Sequence, residues 1–558
     1  MASKIAAATE ESRPANIKLV VAASTAGTAF EWYDFFLFVP LAAIMSRIFF
    51  TGLSETAGYV FALGAFAVGF AFRPLGALIF GRIGDRVGRK ATFLITMTLM
   101  GASTFAIGLI PGYADIGIAA PVIFILMRIF QGLALGGEWG GAAIYIAEHV
   151  EPNKRGFMGA WLGGSAAFGL AGALLVVLAV RTIVGEAAFN AWGWRVPFIV
   201  SAGLLAISIW IRLKLSESPM FAKLKEEGTR SEKPYVESFL QWAGLKQVLL
   251  VLFGIMIAQG AVWYTGFFYA SFFLETIIKV PGPTVNTLML AMTAISVPLY
   301  LAFGALSDRI GRKPVMLFGM VLMVAAIFPG FHLMTRAANP LLDQAATSAP
   351  VVVVADPAEC SLQFDPVGKT QFRTSCDIAK STLARAGVSY ANEAAPAGTL
   401  AQVRVGEVAV PSVDGSTMDA AALAEAKADA TARISAALTA AGYPPSADPA
   451  RVNAVGVFLV LLVLCIGATA LYGPQAAALV ELFPTRIRYT ALSLPYHIGN
   501  GVFGGLLPAV ATYLATNAKK GGDSQWYLQG LWYPIGVAAV CLVIGIFYIN
   551  SKDKRIDD

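Results

Sequence analysis

Five charged side chains lie inside long apolar stretches of this sequence: Glu31, Asp34, Arg73, Arg128 and Glu138. Charge within a bilayer is costly, so such groups usually face a cavity or a partner. A carboxyl group can bind and release a proton, and a guanidinium binds a carboxylate through two hydrogen bonds. The three acids therefore predict proton binding, and the two arginines predict binding of an acidic substrate group. The alternative interpretation is that they form static ion pairs between helices.

Two of the acids lie in one short segment, FEWYDFFLF. Glu31 and Asp34 are three residues apart, which places them near one face of a helix. Asp34 and Arg128 are at similar depths in their helices, so we expect them to approach each other. Asp34 is the stronger proton candidate of the two acids.

The elements that must position these residues are membrane-spanning helices. The 558 residues are 57% hydrophobic and 14% charged, whereas soluble domains carry about 25% charged residues. Runs of about 20 apolar residues, long enough to cross a bilayer as a helix, recur along the chain. Twelve spans are predicted, at about 18–47, 57–80, 91–111, 119–147, 157–181, 194–213, 246–277, 284–306, 314–335, 453–480, 490–515 and 527–549.

Basic residues predict the orientation of these spans. The Lys- and Arg-rich loops follow even-numbered spans or precede odd-numbered ones, and basic loops stay in the cytoplasm. We therefore expect both termini in the cytoplasm and the protein in the cell (inner or plasma) membrane. This distribution also explains the net charge of +6 without a nucleic-acid partner.

The sequence repeats internally. GRIGDRVGRK, beginning at Gly81, recurs as GALSDRIGRK, beginning at Gly304. A Glu–Arg pair, Glu148 with Arg155, recurs later as Glu481 with Arg488, and a polar insertion accounts for the extra length before it. The predicted units are a first six-helix bundle, a cytoplasmic linker, helices 7–9, an insertion and helices 10–12, at 1–214, 215–245, 246–336, 337–451 and 452–558.

The insertion is predicted to be a small α+β domain. VVVV (351–354) and AQVRVGEVAV (401–410) are typical of strands, and the Ala-rich segment 419–442 is typical of a helix. Because it follows the ninth span, we expect it on the outer side of the membrane. Cys360 and Cys376 would then be in an oxidising compartment, which favours a disulfide between them.

The two copies of G-x-x-x-D-R-x-G-R-K resemble the loop signature of Major Facilitator Superfamily transporters. Together with FEWYDFFLF and RIFQGLALGGEWGGAAIYIAEHVEPNKRG, they resemble the metabolite:proton symporter branch. That resemblance implies twelve helices in two six-helix bundles, which fits the all-α membrane fold. It implies a class of solutes, including carboxylates, shikimate and zwitterionic osmolytes, but no single one. The insertion has no counterpart in the family pattern.

The repeated loops are predicted to form a gate at the cytoplasmic side. Acids and bases recur at matching positions, and individually weak ion pairs suit a lock that opens in every cycle. The alternative is a purely topological anchor. The predicted gating residues are Gly81, Asp85, Arg86, Gly88, Arg89, Glu148, Arg155, Asp308, Arg309, Arg312, Glu481 and Arg488.

Polar and aromatic residues within the helices are predicted to line the substrate cavity. Aromatic residues in membrane helices can equally well pack or mark the interface. Beside Arg73 and Arg128, the predicted lining residues are Tyr33, Gln131, Gln259, Trp263, Tyr264, Gln475 and Asn500.

The sequence thus predicts a monomeric proton-coupled symporter for a small organic acid, working by alternating access. Uptake of a zwitterionic osmolyte of the betaine or proline type is the alternative within transport. A receptor that binds solute without moving it is a more remote alternative. No enzyme motif, cofactor site or metal-ligand spacing is recognised, so protons, a small solute and the bilayer are the expected partners.

Overall fold

The fold of the computed structural model is almost entirely helical. It describes residues 17–50, 68–214, 217–361, 372–386, 388, 390–444, 447–448, 450–520 and 526–549. Within these ranges, eight helices are long and apolar enough to cross a membrane. The other predicted spans are present as shorter or divided helices, and part of the second span, 57–67, lies outside the described residues.

The first half contributes helices α1 to α6. Helix α1 comprises Ile17–Phe36 and its continuation Phe38–Phe49. The others are α2 (Arg73–Arg86), α3 (Arg89–Leu109), α4 (Ala119–His149), α5 (Arg155–Val184) and α6 (Val196–Leu213). Short connecting helices are Tyr113–Ile116, Glu186–Ala191, Gly193–Arg195, Pro219–Glu226 and Val236–Leu240.

The second half contributes α7 to α12. Helix α7 is Trp242–Glu275, in which three π-helical turns interrupt the α-helix, and α8 and α9 are Gly282–Ile310 and Arg312–Ala338. Helix α10 comprises Ala454–Tyr472 and Gln475–Leu482. Helix α11 comprises Arg488–His497, a π-helical segment Ile498–Gly504, and Leu507–Lys520. The short helix Trp526–Gln529 follows, and α12 is Trp532–Tyr548. The predicted positions of the spans in the described residues are confirmed.

Glycine explains the tight turns of the repeated loops. Gly88 ends the α2–α3 turn with φ of 134°, and Gly311 occupies the same place between α8 and α9 with φ of 97°. Positive φ is strained for other residues, so both copies of the motif need glycine there.

Glycine also sets the distance between α2 and α4. A Cβ atom added to Gly76 would lie 2.0 Å from the Leu133 carbonyl oxygen, and one on Gly136 would lie 2.2 Å from that of Arg73. Such close backbone approach is typical of membrane helices. It fixes Arg73 and Glu138 in neighbouring helices of one bundle.

The insertion folds as the predicted small α+β unit. Its sheet has the order β2-β1-β3-β4, with strands β1 (Val351–Ala355), β2 (Ala391–Ala394), β3 (Gln402–Val405) and β4 (Val408–Pro411). Strand β1 is parallel to β2 and antiparallel to β3. Helices Ser375–Ala386 and Ala420–Ala440 accompany the sheet. The helix Pro340–Ser348 precedes β1, and the short helix Pro357–Glu359 follows it.

A disulfide joins Cys360 to Cys376, with Cα atoms 5.2 Å apart, as predicted. The core of the unit includes Val353, Val403, Leu383 and Ile434. The insertion follows α9 and therefore lies at the opposite end of that helix from the repeated loop.

Candidate functional site

Arg73 lies in an aromatic cage at the start of α2. Its Cζ atom is 3.9 Å from the ring centre of Phe70, 4.4 Å from that of Phe35 and 5.5 Å from that of Trp32. The side chain is 2% exposed, and its Nε and Nη2 atoms have no hydrogen-bond partner in the described part of the chain. Cation–π contacts hold the guanidinium, while two of its donors are left for another acceptor.

Tyrosines of the second half face the same guanidinium. Tyr264, Tyr472 and Tyr496 are its electrostatic neighbours. The hydroxyl groups of Tyr472 and Tyr496 are 3.0 Å apart, and the ring of Tyr496 stacks on Trp139 of α4 at 3.7 Å. The cage therefore lies where the two halves meet, which is the predicted place for a substrate.

Most of the predicted second-half residues lie in this region of contact. Asn500 donates to Gln259 at 2.6 Å, and Trp263 donates to the Tyr300 hydroxyl at 2.9 Å. Gln475 approaches the Met256 sulfur at 3.4 Å, and its side-chain oxygen has no hydrogen-bond partner in the described chain. These amides can present polar groups beside the tyrosines.

His497, three residues before Asn500 in α11, is a further lining or proton-binding candidate from the sequence. It is 1% exposed, and neither ring nitrogen has a hydrogen-bond partner in the described residues. Arg73 is one of its electrostatic neighbours. The proximity of Arg73 places this histidine beside the cage.

Arg128 is buried near Arg73 but has different contacts. It donates to Gln131 at 2.7 Å, and Gln131 donates to the Thr104 hydroxyl at 2.7 Å. Its guanidinium lies over Phe35 and Phe38, at 5.1 and 4.9 Å. The expected approach of Asp34 to Arg128 gives no ion pair between these two described residues.

The three acids instead face the interior of the first six helices. Asp34 lies near the hydroxyl groups of Thr104 in α3 and Ser201 in α6. Glu138 accepts hydrogen bonds from Arg212 of α6 at 2.7 Å and from Thr96 of α3 at 3.1 Å. Helix α1 thus turns Glu31 and Asp34 toward the interior of the first bundle, while its aromatic residues Trp32 and Phe35 pack with Tyr264 of the second half.

Glu31, Glu138 and Arg212 form one group, the acid cluster. Glu31 neighbours both other members, and its two oxygens have no hydrogen-bond donor in the described residues. That is expected where two carboxylates face each other, because a hydrogen bond between them requires a proton on one. Two acids and one guanidinium carry a net charge of −1, and one bound proton makes the cluster neutral.

Sequence reasoning missed Arg212. It lies in the last turn of α6, where a basic residue is expected simply to mark the cytoplasmic end of a span. Gly27 lets it reach inward, since a Cβ atom there would lie 2.3 Å from the Arg212 Nη2 atom. The guanidinium also lies over Phe93, at 4.0 Å.

Tyr33, also predicted to line the substrate cavity, lies away from the Arg73 cage. Its hydroxyl donates to the Pro197 carbonyl oxygen at 2.8 Å, and its ring belongs to an apolar cluster within the first bundle. It therefore holds α1 against α6.

The first repeated loop is hydrogen-bonded to the second half. Asp85 accepts hydrogen bonds from the backbone N–H groups of Tyr489 and Thr490, at 3.1 and 2.8 Å. These residues begin α11, where a carboxylate is favoured by the exposed N–H groups and the helix dipole. Arg89 lies 3.4 Å from Asp85 and 3.7 Å from Glu148.

The second loop makes the equivalent contact with the first half. Asp308 accepts from the backbone N–H groups of Gly156 and Phe157, both at 2.8 Å, at the start of α5. Arg312 bridges Asp308 and Glu481 at 2.6 and 2.9 Å. Each half therefore caps a helix of the other with the aspartate of its own repeat.

Further contacts complete this closure, which we call the latch. Arg488 pairs with Glu148 at 2.9 Å, and Arg155 donates to the Ala147 carbonyl oxygen at 3.0 Å. Arg86 and Arg309, also predicted to act here, are exposed. Arg89 and Arg312 make the ion pairs instead, because they begin α3 and α9 and turn back over the loop.

The motif glycines admit residues of the opposite half. A Cβ atom on Gly81 would lie 2.9 Å from the Thr490 Cα atom, and one on Gly304 would lie 2.5 Å from the Gly156 carbonyl oxygen. Tyr489 fits into a groove of the first half, donating to the Gly137 carbonyl oxygen. At this end, which we call the latch end, the two halves are closed together.

Replacing Asp85 or Asp308 with asparagine is expected to open the latch end more often. A charged hydrogen bond contributes about 1.5–3 kcal/mol, so a shift of roughly tenfold or more is expected at about 1.4 kcal/mol per factor of ten. The measurement is alkylation of a cysteine placed at Ser493, which lies against Gly140 of the other half, with Cys465 and Cys541 changed to alanine. Asp115→Asn is the matched control, because it lies in the turn at the opposite end of α3, where its side chain accepts a hydrogen bond from the Gly112 backbone N–H. Equal alkylation rates in all variants would contradict a gating role.

The two apolar helical halves, the repeated loops and the shared central site define a membrane transporter fold. The chain belongs to the Major Facilitator Superfamily, whose sequence profile matches residues 25–342. That family consists of transporters, so the match indicates a transporter fold and not an enzyme.

Particular relatives narrow the comparison. The proline/betaine transporter of Salmonella typhimurium is 37% identical over 325 residues, 57% of this chain and 65% of that protein. The match therefore spans less than two thirds of that relative. The inner membrane metabolite transport protein YhjE of Escherichia coli is 37% identical over 58% of this chain and 74% of its own. The proton:xylose symporter XylE shares the fold, with a TM-score of 0.57 at 14% identity and 97% of each chain covered.

Proposed function

We propose that this protein is a proton-coupled symporter that imports a small zwitterionic solute of the betaine or proline type. The observation that carries the proposal is the buried Arg73 guanidinium, surrounded by aromatic rings at the junction of the two halves. The similarity to proline/betaine transporters supports the same solute class over a simple organic acid.

The chemistry of the cage suits both ends of such a solute. The Arg73 donors that lack partners in the described chain would bind the carboxylate through two hydrogen bonds. Aromatic faces bind quaternary ammonium groups by cation–π attraction, and Trp32, Trp139 and Tyr496 offer such faces nearby. A zwitterion would thus present its anion to the arginine and its cation to the rings.

Alternating access follows from the latch. With the latch closed, solute would enter from the opposite end; opening it would release solute beside the repeated loops. By the charge of those loops, that end is cytoplasmic, and the insertion lies outside. A cell-membrane location, inner in a two-membrane cell, fits this orientation and the similarity to an inner membrane protein.

A small organic acid is the second candidate. Arg128 lies close enough to Arg73 to interact with it electrostatically, and both are buried. Two neighbouring guanidinium groups favour a solute with more than one negative charge.

Uptake by the purified full chain in proteoliposomes tests both candidates. Under an inward proton gradient, we expect accumulation of glycine betaine or proline at least tenfold above empty vesicles. A protonophore should abolish it, and a neutral sugar should not accumulate. Accumulation of dicarboxylates alone would favour the second candidate. Binding without uptake of any solute would contradict transport and indicate a receptor.

A further inference from the structure

A cavity lies within the first six helices at the latch end. Its volume is about 10 Å³, and it is lined by Ser24, Lys90, Phe93, Tyr145 and Arg212. That is room for about one water molecule. The lining residues come from α1, α3, α4 and α6, and no described residue of the second half lines the cavity.

The acid cluster forms the end of the cavity that lies deeper in the helix bundle. Arg212 lines the cavity and also donates to Glu138 at 2.7 Å, with Glu31 beside both. All three side chains are at most 3% exposed. The cluster becomes neutral with one proton and returns to −1 without it, so it can carry a proton into or out of the cavity.

The other end of the cavity lies among the polar groups of the latch end. Lys90 donates to the Leu213 carbonyl oxygen, and the backbone N–H groups of Arg89 and Lys90 point to the Glu217 carboxylate. The Tyr145 carbonyl oxygen contacts the His149 ring at 2.7 Å. The charged or titratable groups around this route lie on several elements. They are Glu31 and Asp34 on α1, Lys90 on α3, Glu138, Tyr145, Glu148 and His149 on α4, Arg212 on α6, Glu217 after it, and Tyr489 on α11.

The path between the halves is closed in this structure. The Trp139 ring lies flat on Tyr496, and Tyr489 donates across the junction to Gly137. Arg73 and its cage are on that junction, whereas the hydrogen bonds of the acid cluster join α3, α4 and α6 of the first half. Tyr489 of α11 is its electrostatic neighbour from the second half. Substrate and proton candidates thus occupy different faces of α1.

We propose that the proton leaves through this cavity, on a route inside the first six helices that is separate from the path of the solute. This inference rests on the proposed proton symport. On release, the O–H bond of the cluster's carboxyl group breaks, the proton passes to water in the cavity, and Arg212 balances the carboxylate that forms. The solute moves only along the junction of the halves.

Ser24→Leu tests the route because it fills the cavity without replacing any residue of the cage or the acid cluster. Ala22→Leu, on an exposed face of α1, is the matched control. We expect Ser24→Leu to exchange external for internal solute within twofold of wild type. Its gradient-driven accumulation, and the solute-triggered proton influx reported by a pH dye inside the vesicles, should fall at least tenfold.

Two results distinguish failure of the separate proton route from failure of the proposed symport. Wild-type accumulation and proton influx in Ser24→Leu would overturn the separate route, while absence of gradient-driven accumulation in wild type would overturn the proposed symport itself. If Ser24→Leu loses exchange as well, the smaller Ser24→Val replaces it. Retained accumulation in an exchange-competent Ser24→Val then overturns the route, and selective loss of accumulation supports it.

Discussion

Arg73→Ala is expected to lose high-affinity solute binding and transport. The guanidinium is buried among aromatic rings and is not ion-paired to any carboxylate of the described residues. Truncating one partner of a buried, hydrogen-bonded charge pair costs about 2–5 kcal/mol. At about 1.4 kcal/mol per factor of ten, the dissociation constant should rise by roughly 30-fold to several thousand-fold. Calorimetric titration of the purified protein with glycine betaine, proline and a dicarboxylate measures it.

Two further variants give this result its meaning. Arg73→Lys keeps the charge but loses the two-bond geometry, so its affinity should fall between those of wild type and Arg73→Ala. Arg82→Ala removes an exposed arginine of the same helix, whose guanidinium lies over Tyr235 at 5.3 Å, and should bind like wild type. Wild-type affinity in Arg73→Ala would remove the observation on which the zwitterion proposal depends.

The membrane helices could be predicted from sequence because hydropathy alone determines them. Each apolar run is long enough to span a bilayer and is interrupted by charged or glycine-rich loops. The latch was also predictable in outline, because its residues recur in two copies of one motif. Its actual geometry could not be predicted. Asp85 caps the start of α11 instead of pairing with a nearby arginine alone, and this contact depends on how the two halves pack.

The candidate site was harder to predict because helical rotation decides which neighbour a face meets. Spacing placed Glu31 and Asp34 on one face of α1, but no local pattern says that this face meets α3 and α6. Trp32 and Phe35 of the same helix meet Arg73 instead. Arg212 escaped notice because its partner, Glu138, is 74 residues away in sequence.

The insertion shows the same limit on a smaller scale. Val-rich strands and the Ala-rich helix have strong local preferences and were predicted. Strand β2, with the sequence ANEA, has little preference for a strand and exists because it pairs with β1. Helix Ser375–Ala386 lacks a long apolar stripe, and the disulfide at Cys376 anchors its first turn.

Arg212→Ala is expected to destabilise the protein strongly as well as uncouple it. Removing one partner of a buried ion pair costs about 3–5 kcal/mol, and here it leaves two neighbouring carboxyl groups without a cation. The measurement is thermal unfolding of the purified variant in detergent. Arg181→Ala is the control: it breaks the exposed Arg181–Glu186 pair, which should contribute at most about 1 kcal/mol.

Adding Glu138→Gln to Arg212→Ala separates stability from coupling. The double variant removes one positive and one negative charge, so a protonated Glu31 leaves the site neutral, and most of the lost thermal stability should return. Proton-driven accumulation should stay lost, since no guanidinium then balances the carboxylate that forms on release. Recovery of both properties would mean that the acid cluster only ties α1, α4 and α6 together, and recovery of neither would mean that Arg212 holds the bundle by packing against Phe93.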